Sequence, residues 1–499
     1  MDMRKYYFIY LLALQLFANF PFLYAQQTLT LEACREMALK ENKKIRMAQN
    51  ERQTAALTKR TAMTHYLPKI NFGGGYMRTG SDIKLLENDL FLPAVPYNTI
   101  DPQTGRFNPE ALKDPATAMN TLVLNPQTGA PVTDASGNPV FKNYAMLPAD
   151  KLVLERKNLY YAGFSVMQPL FTGFKITEAN RIARRAENIS GKNVLLVKAE
   201  TIVKTDEAFW RVVSLQEKVK LAHSYEKLLD QLVTDLLNMH GEGIITRNDL
   251  LKAQVKQNES KLKTLEAENG LALSKMALAQ IIGLQDTGIE VAPGTMEEAP
   301  LRTDSLMLPD ISPENRAEIS MLKEKVGIME SNKNIERAKF MPDIALAGSY
   351  GWMNPNPYDG LKEEFGGDWS VGVVVKIPVF TWGERKYELN AAKLKKQKAQ
   401  LELDEAREMI DLQIRRSRYQ YAEALKKAEM AKLSKQQAAE NMRVTKDNLR
   451  EGISRLSELL EAQTQWESAS STYIDALVEV KTTRLELEKS TGQIYRYVP

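Results

Sequence analysis

One large unit occurs twice in this chain of 499 residues. Pro169, Phe171 and Thr172 return as Pro378, Phe380 and Thr381, and Glu242-Gly243-Ile244 returns as Glu451-Gly452-Ile453. Leu250, Leu251, Ala253 and Gln254 return as Leu459, Leu460, Ala462 and Gln463, and Gly283 returns as Gly492. Each pair is 209 residues apart, so the copies run without a net gap through this stretch. Upstream, Tyr66-Leu67-Pro68-Lys69-Ile70 resembles Phe340-Met341-Pro342-Asp343-Ile344 at a separation of 274, which makes the first copy 65 residues longer between its proline landmarks. Two copies of so long a unit fold as a pseudo-symmetric pair rather than as a short-period solenoid.

Residues 1–25 read as a secretory signal. Arg4 and Lys5 precede the mostly apolar run Tyr6 to Phe20, and Leu23-Tyr24-Ala25 offers small-residue positions before Gln26-Gln27. Gln15, Asn19 and Pro21 interrupt the run, which argues against the alternative of a membrane anchor. Cys34 is the only cysteine, so no intramolecular disulfide forms, as suits an exported protein of a bacterial envelope. A formal charge of +4 is too weak to point to a nucleic-acid partner, and the charged residues, 26% of the chain, mix both signs along helical segments.

The pattern predicts a first repeat over 26–283, a linker over 284–313 rich in Pro, Gly and acidic residues, a second repeat over 314–492 and a tail over 493–499. Each repeat opens with a helix, Thr30 to about Tyr66 and Glu314 to Met341. Two strands follow, Ile70–Met77 and Leu159–Met167 in the first copy, Ile344–Trp352 and Trp369–Ile377 in the second. Gly73-Gly74-Gly75 reads as a glycine-rich strand, because no lysine-serine or lysine-threonine pair and no helix follow it. Gly80 to Asn158 reads as a long surface loop, partly ordered or functional, that repeats a turn as Asp101-Pro-Gln-Thr-Gly105 and Asn125-Pro-Gln-Thr-Gly129. Helical hairpins then occupy 170–283 and 383–492, reversing at Gly243 and Gly452. Their first arms, Ile176 to Met239 and Glu384 to Glu451, contain no proline, and each makes a helix about 100 Å long.

Four strands cannot close a barrel, and an open edge cannot face lipid. Single-chain barrels begin at about eight strands, so membrane strands here require several chains to share one barrel. Leu456, Leu460, Trp466, Tyr473, Leu477 and Val480 keep helical spacing and read as a packing stripe. His65, His223 and His240 are isolated from one another and from Cys34, and no nucleophile elbow or phosphate loop occurs. The expectation is a passive conduit with no metal, no cofactor and no catalysis. The alternative from another class is a periplasmic coiled-coil adaptor or scaffolding protein, which leaves the four strands unexplained.

Taken in order, the signal, the Leu-Pro-x-Ile strand start, the Pro-Leu-Phe and Pro-Val-Phe strand ends, and Glu-Gly-Ile followed by Leu-Leu-x-Ala-Gln resemble the TolC-family outer-membrane efflux proteins. The resemblance implies a mainly α fold with membrane β-structure: a homotrimer in which each chain gives four strands to one 12-stranded barrel in outer-membrane lipid. Long helices would form a periplasmic tunnel that docks through an adaptor protein onto an inner-membrane pump. It implies export of small molecules or peptides, in tripartite efflux or type I secretion.

The resemblance also assigns residues. The hairpin tips at Glu242-Gly243 and Glu451-Gly452 would contact the adaptor at the periplasmic end. Glu458 and Glu461, one helical turn apart, match acidic residues that ring the family's entrance, and Asp249 matches a member of its latch. The latch arginine falls on Ser454, with Arg455 one place later, and the latch tyrosine falls on Leu449, so the latch departs from the family pattern. The plainer alternative for Glu458 and Glu461 is favourable charge near a helix N-terminus.

Overall fold

The computed structural model describes residues 28–80, 83–154, 158–284, 289–292, 312–359 and 362–498. The expected signal segment and most of the expected linker lie outside these residues. The chain divides into two compact units: a helical unit of Met1–His65, Gly173–Met341 and Pro378–Pro499, and a strand unit of Tyr66–Thr172 and Pro342–Ile377.

The helical unit begins with α1 (Leu31–Glu41) and α2 (Lys43–Thr64). The sequence predicts one helix here, and the structure breaks it at Asn42. That residue is extended (ψ 124°), and its Oδ1 accepts from the Lys44 amide at 2.9 Å, so one short polar side chain caps the second helix against the backbone's own continuation. Two long helices, α4 (Lys175–Gly241) and α7 (Glu384–Arg450), have 67 residues each, and each reverses into a partner, α5 (Arg247–Ile282) and α8 (Leu456–Ser490). Between the hairpins runs α6 (Ala317–Ala338); the short α3 (Pro115–Thr121) belongs to the other unit.

Helices this long are stabilised by partners along their length. Near one region, Cys34 and Ala38 of α1 pack with Phe209, Val212 and Val213 of α4 and with Leu278 and Ile282 of α5. Small residues let α7 and α8 approach closely: Ala424, Ala428 and Ala431 meet Tyr473, Ala476 and Val480. Leu456, Leu460, Tyr473 and Val480 of the predicted stripe are buried, and Trp466 and Leu477 pack beside them. The tail is not loose. Gln493–Tyr497 forms a 3-10 helix, and Ile494, 1% exposed, fills a cluster with Ile202, Val203 and Leu485.

The duplication is visible in the backbone. Gly243 and Gly452 have φ of 75° and 73°, and Gly283 and Gly492 have 82° and 75°. At the foot of each long helix two consecutive residues are left-handed, Gly173-Phe174 and Trp382-Gly383. The glycine has changed places with the aromatic between copies, while the turn is kept.

In the strand unit, β1 (Lys69–Arg78), β6 (Asn158–Phe171), β7 (Asp343–Asn354) and β8 (Gly366–Lys376) form one antiparallel sheet in the order β1-β6-β7-β8. The sequence ends the second strand at Met167, but β6 runs on through Gln168-Pro169 to Phe171. Lys69↔Met167 is the last pair with β1, while pairing with β7 continues and shifts register between Pro169 and Phe171. Proline is tolerated there because it sits at an irregularity where one neighbour has ended. The expected loop contains two further ribbons, β2 (Ile83–Lys84) with β5 (Val153–Leu154) and β3 (Leu90–Pro93) with β4 (Tyr144–Leu147). Both Pro-Gln-Thr-Gly segments are tight turns in which Asp101 and Asn125 side chains accept from the amides of Gln103 and Gln127, and Gly105 and Gly129 are left-handed.

Candidate functional site

Strand alternation gives the four-stranded sheet two unlike faces. One carries Ile70, Phe72 and Tyr76 of β1, Tyr160, Phe164 and Val166 of β6, Leu346, Tyr350 and Trp352 of β7, and Trp369, Val371, Val373 and Val375 of β8, matched by cross-strand register. Aromatic rings run across it: Phe72 to Phe164 at 4.9 Å, Phe164 to Trp352 at 6.2 Å, and Tyr76 to Tyr160 at 4.9 Å. The opposite face is small and polar across its middle, with Asn71, Gly73, Gly163, Ser165, Ser349 and Ser370 and a hydroxyl pair at 2.8 Å between the last two, and carries larger side chains such as Met77, Tyr161, Met167 and Val374 towards its ends. The apolar face is open to solvent in the single chain, as Val371 at 65% exposed and Trp369 at 68% show. From Trp369 to Val375 it spans about 20 Å along the strand, close to the apolar band of a membrane barrel. Among the described residues, strands β1 and β8 pair on one side only. No helix among the described residues is long and apolar enough to cross a membrane.

The hairpin tips are the second feature. Each ends its long helix with the same pair of bonds: Ile244 N to Met239 O at 2.9 Å and Gly243 N to His240 O at 3.0 Å, then Ile453 N to Asn448 O at 2.8 Å and Gly452 N to Leu449 O at 3.1 Å. A left-handed glycine satisfies the last carbonyls this way. Glu242, Gly243, Glu451 and Gly452 are all exposed, and so are Ile244 and Ile453.

The two tips restart their helices differently. Thr246 caps α5: its Oγ1 accepts from the Asp249 amide at 3.2 Å and donates to the Asp249 carboxylate at 2.7 Å. Asp249 also lies 3.6 Å from Lys252. In the second copy Arg455 takes the place of Thr246 and has no acceptor to offer. Glu458 makes the reverse bond only, reaching back to accept from the Arg455 amide at 3.2 Å. Glu461 stands one turn on, exposed, and accepts from Gln465 at 3.2 Å. It opens onto a groove of about 810 Å³ along α7 and α8. That groove carries a polar stripe the sequence reading missed, Gln465, Ser468, Thr472, Asp475 and Glu479. Its alternating spacing of three and four, opposite the apolar stripe of α8, was the available signal. The structure thus brings Glu458 and Glu461 together on α8 and places Asp249 and Arg455 at the starts of α5 and α8.

The histidines remain apart. His223 meets Glu268 at 3.1 Å, and His240 Nδ1 meets Ile245 O at 3.2 Å. Among the described residues no group of three His, Cys, Asp or Glu side chains is arranged to hold a metal. Burial, with the Asp206 charge adding to it, pushes the Cys34 thiol up to about 11, so it packs as an inert apolar group. Beside it lies a buried ion pair that sequence reading also missed: Arg35 Nε donates to Asp206 Oδ1 at 2.8 Å, and the guanidinium sits 4.3 Å from the Tyr497 ring centre. Burial holds the Asp206 carboxyl above its usual range, against the opposing hydrogen bonds from Arg35.

A sheet with one apolar exposed face, joined in one chain to two helical hairpins that each have one 67-residue arm, is the architecture of solved outer-membrane channels. The structure superposes on VceC from Vibrio cholerae with a TM-score of 0.68 at 14% identity, covering 93% of this chain and 96% of that one. The CmeC outer membrane channel of Campylobacter jejuni gives 0.68 at 16% identity, over 93% and 85%. In sequence, the chain is 21% identical over 337 residues to the alkaline protease secretion protein AprF of Pseudomonas aeruginosa, covering 67% of this chain and 69% of AprF. A sequence model of the outer membrane efflux proteins matches residues 308–493. Over these residues and in its fold the chain is similar to this family, that of the TolC-type outer-membrane channels.

Proposed function

We propose that the protein is one subunit of a homotrimeric outer-membrane duct that exports small molecules or peptides from the periplasm. The observation that carries this is the sheet: an aromatic and apolar exposed face, a second face that is small and polar across its middle, and free edges at β1 and β8. Pairing β8 of one copy with β1 of the next satisfies both edges, and repeating the step closes a barrel with the apolar face towards lipid. Three copies give the 12 strands that the family resemblance implies. The helices carry matching free apolar ridges, Leu394, Leu401 and Leu412 on α7 and Leu262, Leu265 and Leu273 on α5, all more than half exposed in the single chain. Packing these ridges between neighbours continues the closure along the helices.

Within that duct the polar stripe of α8 lines the passage, and Glu458 and Glu461 from three chains form an acidic constriction near the tips, with Asp249 and Arg455 flanking it. Glu242, Gly243, Glu451 and Gly452 form the end that meets an adaptor protein, and through it an inner-membrane pump. A passage of this kind works by shape and charge, and its residues perform no bond-making step. The test is the mass of the detergent-extracted protein. A trimer that fractionates with outer membranes and conducts ions in a planar bilayer supports the reading; a monodisperse monomer with native strand content, or a protein released from envelopes by salt alone, overturns it.

A further inference from the structure

The segment between β1 and β6 prolongs their hairpin. Pairing runs from Lys69↔Met167 to Arg78↔Asn158, resumes at Ile83↔Leu154 and again at Leu90↔Leu147 through Pro93↔Tyr144, with a net slip of one residue. The free edge strand of the sheet therefore leads directly into β3. The β3–β4 ribbon is apolar on both faces. Leu90, Leu92 and Leu147 share one face, 41%, 47% and 38% exposed; Phe91, Met146 and Tyr144 share the other, 58%, 53% and 45% exposed. A two-stranded ribbon is marginal in water by itself, and open edges with apolar faces on both sides invite a partner.

Lipid is a poor candidate for that partner. Arg78 and Asn158, then Lys84, Glu87 and Asp89, stand between the last aromatic row of the sheet at Tyr76 and Tyr160 and the start of β3. Such charges mark the end of an apolar band and not its middle. The ribbon instead continues β1, one of the two strands whose free edges neighbouring copies must occupy. We propose that the β3–β4 ribbon is an interface between copies of this chain, so that three ribbons pack on one another as a collar beyond the outer end of the barrel. This rests on the shared-barrel reading above, since separate chains would not bring the ribbons together.

The test uses the full chain carrying Leu90→Cys, Phe91→Cys, Leu92→Cys, Tyr144→Cys or Met146→Cys one at a time, oxidised on intact cells. Native Cys34 is fully buried and serves as the background. The proposal predicts covalent dimers from at least one position on each face. It also predicts that Phe91→Asp with Met146→Asp keeps the trimer but lowers the temperature at which it dissociates in detergent. A wild-type trimer with no crosslink at any position and an unchanged dissociation temperature in the double variant overturns the collar and leaves the shared barrel standing. A wild-type protein that is monomeric overturns both.

Discussion

Replacing Arg35 by alanine breaks the most deeply buried charge pair among the described residues of the helical unit. The Arg35 and Asp206 side chains are 16% and 3% exposed, so this is not a surface pair worth at most about 1 kcal/mol. Removing the guanidinium leaves the buried Asp206 carboxylate, close enough to Cys34 for its charge to act there, with no counter-charge, and breaking a buried pair in this way costs about 3–5 kcal/mol. The variant also loses the contact of the guanidinium with Tyr497, which helps hold the C-terminal segment. The pH dependence has a definite sign. Asp206 already titrates above its usual range, so between the unfolded and folded values the native state binds the extra proton and stability falls as pH rises. Without Arg35 that window widens upward, so the deficit of R35A is largest near neutrality and shrinks as pH falls towards the carboxylate range. The assay is thermal unfolding followed by helical circular dichroism, at fixed protein concentration and scan rate from about pH 5 to 8. R35A combined with Asp206→Asn recovers most of the loss, because a neutral amide needs no counter-ion. A deficit below about 1 kcal/mol that is flat with pH would refute the claim that Asp206 depends on Arg35.

Three further outcomes follow from the same geometry. Val373→Arg puts a charge on the apolar face of β8 and lowers barrel stability by about 2–4 kcal/mol, read as reduced outer-membrane yield and earlier heat dissociation, whereas a charge on the small face at Ser370 does neither. Glu458→Gln with Glu461→Gln leaves the helical content intact, lowers cation preference and weakens block by divalent or trivalent ions in planar bilayers; unchanged selectivity and block would reduce both residues to helix-end charges. Gly452→Ala forces a Cβ into a left-handed position (φ 73°) and costs about 1 kcal/mol at the tip; an unchanged melting profile argues against strain there.

Punctuation by glycine and proline made much of the fold legible. The long helices show as stretches without proline, the reversals as Glu-Gly-Ile, and the sheet as four alternating runs between proline landmarks. The duplication made each signal count twice. Several features are written in no local pattern. Asn42 looks like any polar residue in a helical run, and only its place against Ile281, whose carbonyl it meets at 3.3 Å, gives a reason to break there. Arg35 and Asp206 lie 171 residues apart, so their pairing exists only after α1 docks on α4. The β3 and β4 strands are four residues each, too short for alternation to stand out from the surrounding turns. Glu458 was legible as an acidic residue near a helix start; its bond back to the Arg455 amide exists only once the turn at Gly452 is formed.

A shared barrel requires β8 of one chain to pair with β1 of another. Asn71→Cys combined in turn with Ser370→Cys, Gly372→Cys or Val374→Cys puts thiols on the small face of these two edges, and oxidation in outer membranes followed by denaturing electrophoresis reads the result. A shared barrel gives, from at least one combination, a ladder of covalent species that stops at three chains, while each variant with only one introduced cysteine stays monomeric under denaturing conditions. Disulfides confined within single chains, or no crosslink from any combination in a protein that is trimeric in detergent, would contradict it.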